Sequence, residues 1–265
     1  VFEQWNEGKL KSYLVEITAN LLRHKSSDGV AIIDKILDIA GQKGTGKWSV
    51  INAMNLGMPL GLIGTAVFER SLSADKSTRL LASNRFRHKS VEVDTHREQL
   101  IDKVFSALYA SKLVSYAQGF AVLQRASDEF NWNLDMASIA RMWRAGCIIR
   151  SAFLNDIAQA YEQSERPSHL LLDPFFAKEI EQLTEGWSSI VAKAASRGLP
   201  VPAFSSALNY FYSLSSANLP ANLIQAQRDY FGAHTFERRD AERGKFFHEN
   251  WTGHGGKTQS GTYNV

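Results

Sequence analysis

The chain has 265 residues, of which 44% are hydrophobic, 22% charged and 11% aromatic. That composition supports a packed core and excludes a disordered polymer. Thirty Lys and Arg against 27 Asp and Glu leave a formal charge of only +3, too thin a basis for nucleic-acid binding, which needs a clustered basic face. No window reaches about 18 uncharged apolar residues, so no membrane span is expected. The single cysteine, Cys147, excludes an internal disulfide framework and fits a cytoplasmic protein.

The opening Val1-Phe-Glu-Gln-Trp5 has neither a start methionine nor a secretory pattern and reads as the interior of something longer. Apolar residues then recur at spacings of three and four over 3–24, 28–40, 48–56 and 60–82, which predicts helices. Over 101–130 the apolar residues Val104, Phe105, Leu108, Leu113, Val114, Phe120 and Leu123 surround the helix, the mark of a buried central one. Helical period continues over 136–162. A further helix runs from Phe176 with a stripe of Ile180, Leu183, Trp187, Ile190 and Ala194, closed by Gly198 and Pro200. Two more are expected over 202–216 and 219–232. Val91-Glu-Val93 is the single weak strand candidate. The expected fold is all-α: a large helical domain, 1–232, followed by a long, mostly irregular C-terminal tail, 233–265.

That tail holds His234, His248 and His254, and it carries Phe246, Phe247, Trp251 and Tyr263. Extended, it would span up to roughly 110 Å, and its aromatic residues favour docking on a surface over a frayed terminus. Gly253-His-Gly-Gly256 lacks further ligands at usable spacing, so no metal site is assigned.

Gly41-Gln-Lys-Gly-Thr-Gly-Lys47 nearly matches a phosphate loop. Trp48 stands where the magnesium-binding hydroxyl belongs, and no strand pattern precedes the loop, which excludes an NTPase. Two readings remain: an anion site built from backbone N–H groups with Lys43, Thr45 and Lys47, or a helix connection capped by glycine. Arg70 falls on the stripe of Ile63, Ala66 and Val67, and Arg228 shares a face with Ile224, Gln227 and Phe231, in a helix opened by Pro220 and closed by Gly232. An inward guanidinium requires either an internal carboxylate or an anionic ligand, and His234 stands just past the second helix. Cys147, among apolar neighbours, reads as a small buried residue. No nucleophile triad, paired carboxylates or dinucleotide fingerprint is visible, so no catalytic residue is assigned.

Several segments carry a family likeness: Ile17-Thr-Ala-Asn20, Ala40-Gly-Gln-Lys-Gly-Thr-Gly-Lys-Trp48, Ala107-Leu-Tyr-Ala-Ser-Lys112, Ser115-Tyr-Ala-Gln-Gly-Phe120, Trp143-Arg-Ala-Gly-Cys-Ile-Ile-Arg150, Leu223-Ile-Gln-Ala-Gln-Arg-Asp-Tyr-Phe-Gly-Ala-His234 and Asn250-Trp-Thr-Gly-His-Gly-Gly256. Through them the chain resembles the 6-phosphogluconate dehydrogenases, the decarboxylating, NADP-dependent enzymes of the pentose phosphate pathway and gluconate utilization. Ala145 departs from the usual Gly. The resemblance implies the C-terminal helical part of such an enzyme, following a coenzyme domain and the segment with the catalytic Lys and Glu, and inactive without them. It implies that Lys43, Thr45 and Arg70 bind 6-phosphogluconate, that Arg228 and His234 are the pair a partner subunit donates to the phosphate, and that Ser260, Gly261, Thr262 and Tyr263 neighbour NADP at the end of a threaded tail. It implies a homodimer, with no nucleic-acid or membrane partner. A stand-alone helical dimerisation or anion-binding module is the competing reading.

Overall fold

The computed structural model describes residues 1–86 and 97–253. Among them are eleven α-helices, two short 3-10 turns and a single pair of two-residue strands, an all-α fold. The chain divides into two compact units, Val1–Phe211 and the part from Tyr212 onward, a boundary that falls inside one helix.

The first unit is organised by the long helix α6 (Arg97–Phe130). Its Tyr109, Leu113, Val114, Ala117 and Phe120 are buried, and α9 (Pro174–Ser196) packs along it. Asp173 starts α9 by accepting from the N–H groups of Phe175 (3.0 Å) and Phe176 (3.4 Å), with Pro174 in the first turn. The stripe Phe176, Ile180, Leu183, Trp187, Ile190 and Ala194 is buried as the period predicts. The helix ends at Ser196, and Gly198 follows with φ of 66°. Lys112, also on α6, donates to the Ser12 (2.9 Å) and Ser151 (3.3 Å) hydroxyls and lies over the Phe153 ring. It thereby ties the start of α2 (Tyr13–Arg23) to the start of α8 (Leu154–Glu162). Burial pulls its ammonium down to about 8.

Four expected helices differ. The segment 3–24 holds a single turn, α1 (Phe2–Trp5), and then α2. Over 28–40 there is only a 3-10 turn, Ile32–Lys35. There Asp28 accepts from the Ser26 hydroxyl (2.6 Å) and the Val30 N–H (3.2 Å), Ser26 N–H donates to the Val30 carbonyl (2.9 Å), and Gly29 has φ of 81°. These local side-chain bonds hold a turn in competition with a helix. The expected 60–82 helix divides at Asp75, whose side chain caps α5 (Lys76–Arg85) through the Thr78 N–H, leaving α4 as Gly61–Ala74. Gly146, at φ of 68°, sits in the loop that separates α7 (Met136–Met142) from α8. Cys147 in that loop is half-buried rather than buried. Val91 and Val93 lie outside the described residues.

In the second unit, α11 (Ala221–Gly232) is followed by the antiparallel pair β1 (Phe236–Glu237) and β2 (Phe246–Phe247), with Phe236 opposite Phe247. The segment 233–253 is thus docked on a helix: Trp251 packs against Phe236 and Tyr230, and the Arg238 guanidinium covers the Phe247 ring.

Candidate functional site

Within the first unit the glycine-rich loop lies against α4 and leads into α3 (Thr45–Asn55). Three consecutive loop residues are fastened to α4. The Ala40 N–H donates to the Ser73 hydroxyl (2.9 Å), Arg70 donates to the Gly41 carbonyl, and the Gln42 amide donates to the Ser71 hydroxyl (3.3 Å). Just upstream, Asp38 pairs with Lys76 and Arg79 of α5, and those hydrogen bonds hold its carboxyl down at about 2. Gly44 caps α3 in the left-handed region (φ of 99°), with no side-chain cap. A Cβ on Gly46 would sit 2.8 Å from a Val67 methyl, so glycine there is what lets α3 and α4 approach.

The result is a helix N-terminus, favourable to anions, with Lys43 exposed beside it, Thr45 in its first turn and Arg70 fastening the loop. The structure therefore brings Lys43, Thr45 and Arg70 into one neighbourhood. Arg70 does not point into the core: it is exposed, as is Ala66, and its partner is a backbone carbonyl where an internal carboxylate was one expectation. The α4 stripe is only half-buried at Ile63 and Val67, so that face has room for a charged head group. A separate cavity of about 780 Å³ lies between α3, α4 and α6, lined by Asn52, Leu60, Ile63, Leu123, Phe130 and Trp132. No Lys or Arg lines it and Glu129 does, so it does not suit a phosphate.

Within the second unit, Arg228 stands in the second half of α11 and His234 two residues beyond its last residue, Gly232. Here too the expected face is turned round: Ile224 and Phe231 are 61% and 73% exposed, and the buried side of the helix belongs to Asp229. Arg228 is half-buried and donates to the Gln225 carbonyl oxygen (3.1 Å). The His234 ring meets Phe231 edge-on and lies so close to Gly232 that a Cβ there would come within 2.7 Å of it.

Asp229 escaped the sequence reading. It is fully buried and accepts from the Thr235 N–H (2.9 Å), His248 Nδ1 (3.0 Å), the Glu249 N–H (3.1 Å) and Trp251 Nε1 (2.8 Å). Burial alone would push its carboxyl up, but these four donors outweigh it and hold it at about 2. Because the folded value lies below the ordinary one, the ion stabilises the docked segment above about pH 4 and loses that effect as pH falls from 3.8 towards 2. We expect the Trp251 indole N–H to stay protected from exchange from pH 8 to pH 4 and to lose that protection only below it. A transition centred at pH 5 or above would mean that another group fastens this segment.

The described residues offer NADP no dinucleotide-binding turn, since their one strand pair is two residues long and no Gly-x-Gly-x-x-Gly follows it. Ser260, Gly261, Thr262, Tyr263 and His254 lie outside the described residues. Among the described residues no helix is long and apolar enough to cross a membrane.

Comparison with known proteins places these features in a family. Residues 1–251 match the family model described as 6-phosphogluconate dehydrogenase, C-terminal domain. Proteins named "6-phosphogluconate dehydrogenase, decarboxylating" from Treponema pallidum and Caenorhabditis elegans are 50% and 51% identical over 270 and 268 residues, covering 100% of this chain and 55% of theirs. A Plasmodium falciparum 6-phosphogluconate dehydrogenase, solved in its apo form and in complexes with its cofactor NADP+ and its substrate 6-phosphogluconate, superposes with a TM-score of 0.90 at 42% identity. It covers 94% of this chain and 54% of its own. The chain spans about half the length of these relatives, and it belongs to the 6-phosphogluconate dehydrogenase family, matching that family's C-terminal domain.

Proposed function

We propose that this chain supplies the substrate-binding and dimer-forming C-terminal part of an NADP-dependent enzyme that converts 6-phospho-D-gluconate to D-ribulose 5-phosphate and CO2. The match over the whole chain to dehydrogenases of that name carries the reading. Two cationic clusters of the right chemistry support it: Lys43, Thr45 and Arg70 around the α3 N-terminus, and Arg228 with His234 at the end of α11. Their task is positioning. A phosphate seated on guanidinium groups fixes the sugar acid so that its reacting carbons meet the coenzyme in one orientation. NADP binding and the acid–base groups fall to the remainder of the enzyme, with Ser260, Gly261, Thr262 and Tyr263 as this chain's own contribution beside the coenzyme.

We propose further that each site is shared by two copies, with Arg228 and His234 reaching the substrate held by the partner's loop. Large apolar side chains stand exposed on both units, among them Trp48, Met54 and Leu81 in the first and Leu223, Ile224 and Phe231 in the second. Such exposed apolar side chains suit a symmetric interface between two copies. Purified 1–265 is expected to sediment near twice 29.6 kDa and to leave NADP oxidised in the presence of 6-phosphogluconate, whereas the enzyme joined to its coenzyme-binding part reduces it. Turnover by the 265-residue chain would overturn the assignment of the chemistry to the remainder of the enzyme, and a clean monomer at high micromolar concentration would overturn the shared site.

A further inference from the structure

The turn that carries His234 is strained. Ala233 and Thr235 on either side of it have φ of 48° and 58°, a left-handed conformation uncommon for any residue with a Cβ and costly for a β-branched one. Such a backbone persists only where its surroundings over-determine it. Here both backbone groups of Thr235 are clamped: the Asp229 carboxylate accepts from its N–H (2.9 Å), and the Gln225 amide donates to its carbonyl. The Ala233 N–H is held by the Asp229 carbonyl (2.9 Å). Gln225 is bifunctional, because its own carbonyl oxygen receives Arg228 NH1 (3.1 Å). One side chain thus orients the arginine while fixing the turn that aims the histidine.

We infer that Gln225 and Asp229 are positioning residues that pre-set Arg228 and His234 as one rigid phosphate-binding pair. This rests on the reading above that these two groups bind the substrate phosphate. Asp229 locks the turn from one side and ties it to Trp251 and His248. Gln225 locks it from the other side and couples it to the guanidinium. A pair held in this way meets the phosphate without first ordering two mobile side chains and a loop, so the benefit appears in substrate affinity more than in turnover.

The test is steady-state kinetics of the complete enzyme, with inorganic phosphate as a competitive probe of the anion site alone. Gln225→Ala leaves the Asp229 clamp in place, so the second unit stays folded. It is expected to raise KM for 6-phosphogluconate and the inhibition constant for phosphate together, each by about tenfold, with kcat within about twofold. Thr235→Gly, added to Gln225→Ala, removes the left-handed strain and should recover part of that loss, whereas a merely structural role for Gln225 would lower stability and kcat without this selective rise in the two constants. Asp229→Asn keeps the shape but turns an acceptor into a donor facing N–H groups, and should raise both constants further. If Arg228→Ala raises KM while Gln225→Ala leaves both constants at wild-type values, the positioning inference is wrong and the phosphate reading stands. If Arg228→Ala also changes neither, the phosphate reading itself is wrong.

Discussion

Trp187→Ala is expected to cost the first unit about 3–5 kcal/mol, the range for truncating a buried tryptophan. Trp187 is 0% exposed in the middle of the α9 stripe, its ring lies 6.1 Å from that of Phe211, and its Nε1 donates to the Phe204 carbonyl at 3.2 Å. The substitution removes the packing against α6 and α10 (Pro202–Leu214) and also the indole hydrogen bond to the Phe204 carbonyl, so the cavity and the lost hydrogen bond act in the same direction. With total stabilities of about 5–15 kcal/mol for a domain, a loss of this size moves the urea midpoint far down. Trp187→Phe keeps most of the volume and should lose markedly less. Equal losses for the two would show that volume is not what α9 contributes.

That stripe is also where sequence and structure agree best, and the reason is physical. A helix buried on one face against a long straight partner repeats its apolar residues at the helical period, and Asp173, Pro174, Gly198 and Pro200 mark its ends by local chemistry alone. The 28–40 segment has a similar apolar spacing without that outcome. Its Ile36 and Leu37 are 59% and 61% exposed, so no core face selects the helix, and the Ser26–Asp28–Val30 bonds decide the backbone. Periodicity registers apolar residues but not what covers them.

The same distinction applies to the site. The glycine-rich loop was visible because its glycines and its candidate donors Lys43 and Thr45 stand within a few consecutive residues. Arg70 and Arg228 were visible as charges on apolar stripes, but Arg70 is exposed and Arg228 only half-buried, on a stripe whose Ile224 and Phe231 stand open in the single chain. Asp229 was invisible for a different reason. Its partners Thr235, His248, Glu249 and Trp251 lie six to twenty-two residues downstream, with no period linking them to α11. Only the folded hairpin of β1 and β2 brings those donors to one carboxylate.

Arg228→Ala in the complete enzyme tests the phosphate site most directly. The substitution removes a charge-assisted contact expected to be worth about 1.5–3 kcal/mol, and the helix itself should survive because Ala is the better helix former. The phosphate of 6-phosphogluconate is remote from the carbons that react, so it is bound alike in the ground and transition states. An interaction of that kind sets KM and leaves kcat nearly unchanged. The expected result is therefore a rise in KM of roughly ten- to a hundredfold with turnover within a few-fold of wild type, and a matching loss of inhibition by inorganic phosphate. Lys would restore the charge at this position but not the planar fork, which donates to Gln225 and would have further N–H groups for a phosphate oxygen, so Arg228→Lys should recover only part of the affinity. A fall in kcat with KM unchanged would place Arg228 at the reacting end of the substrate instead, and no change in either constant would remove it from the site.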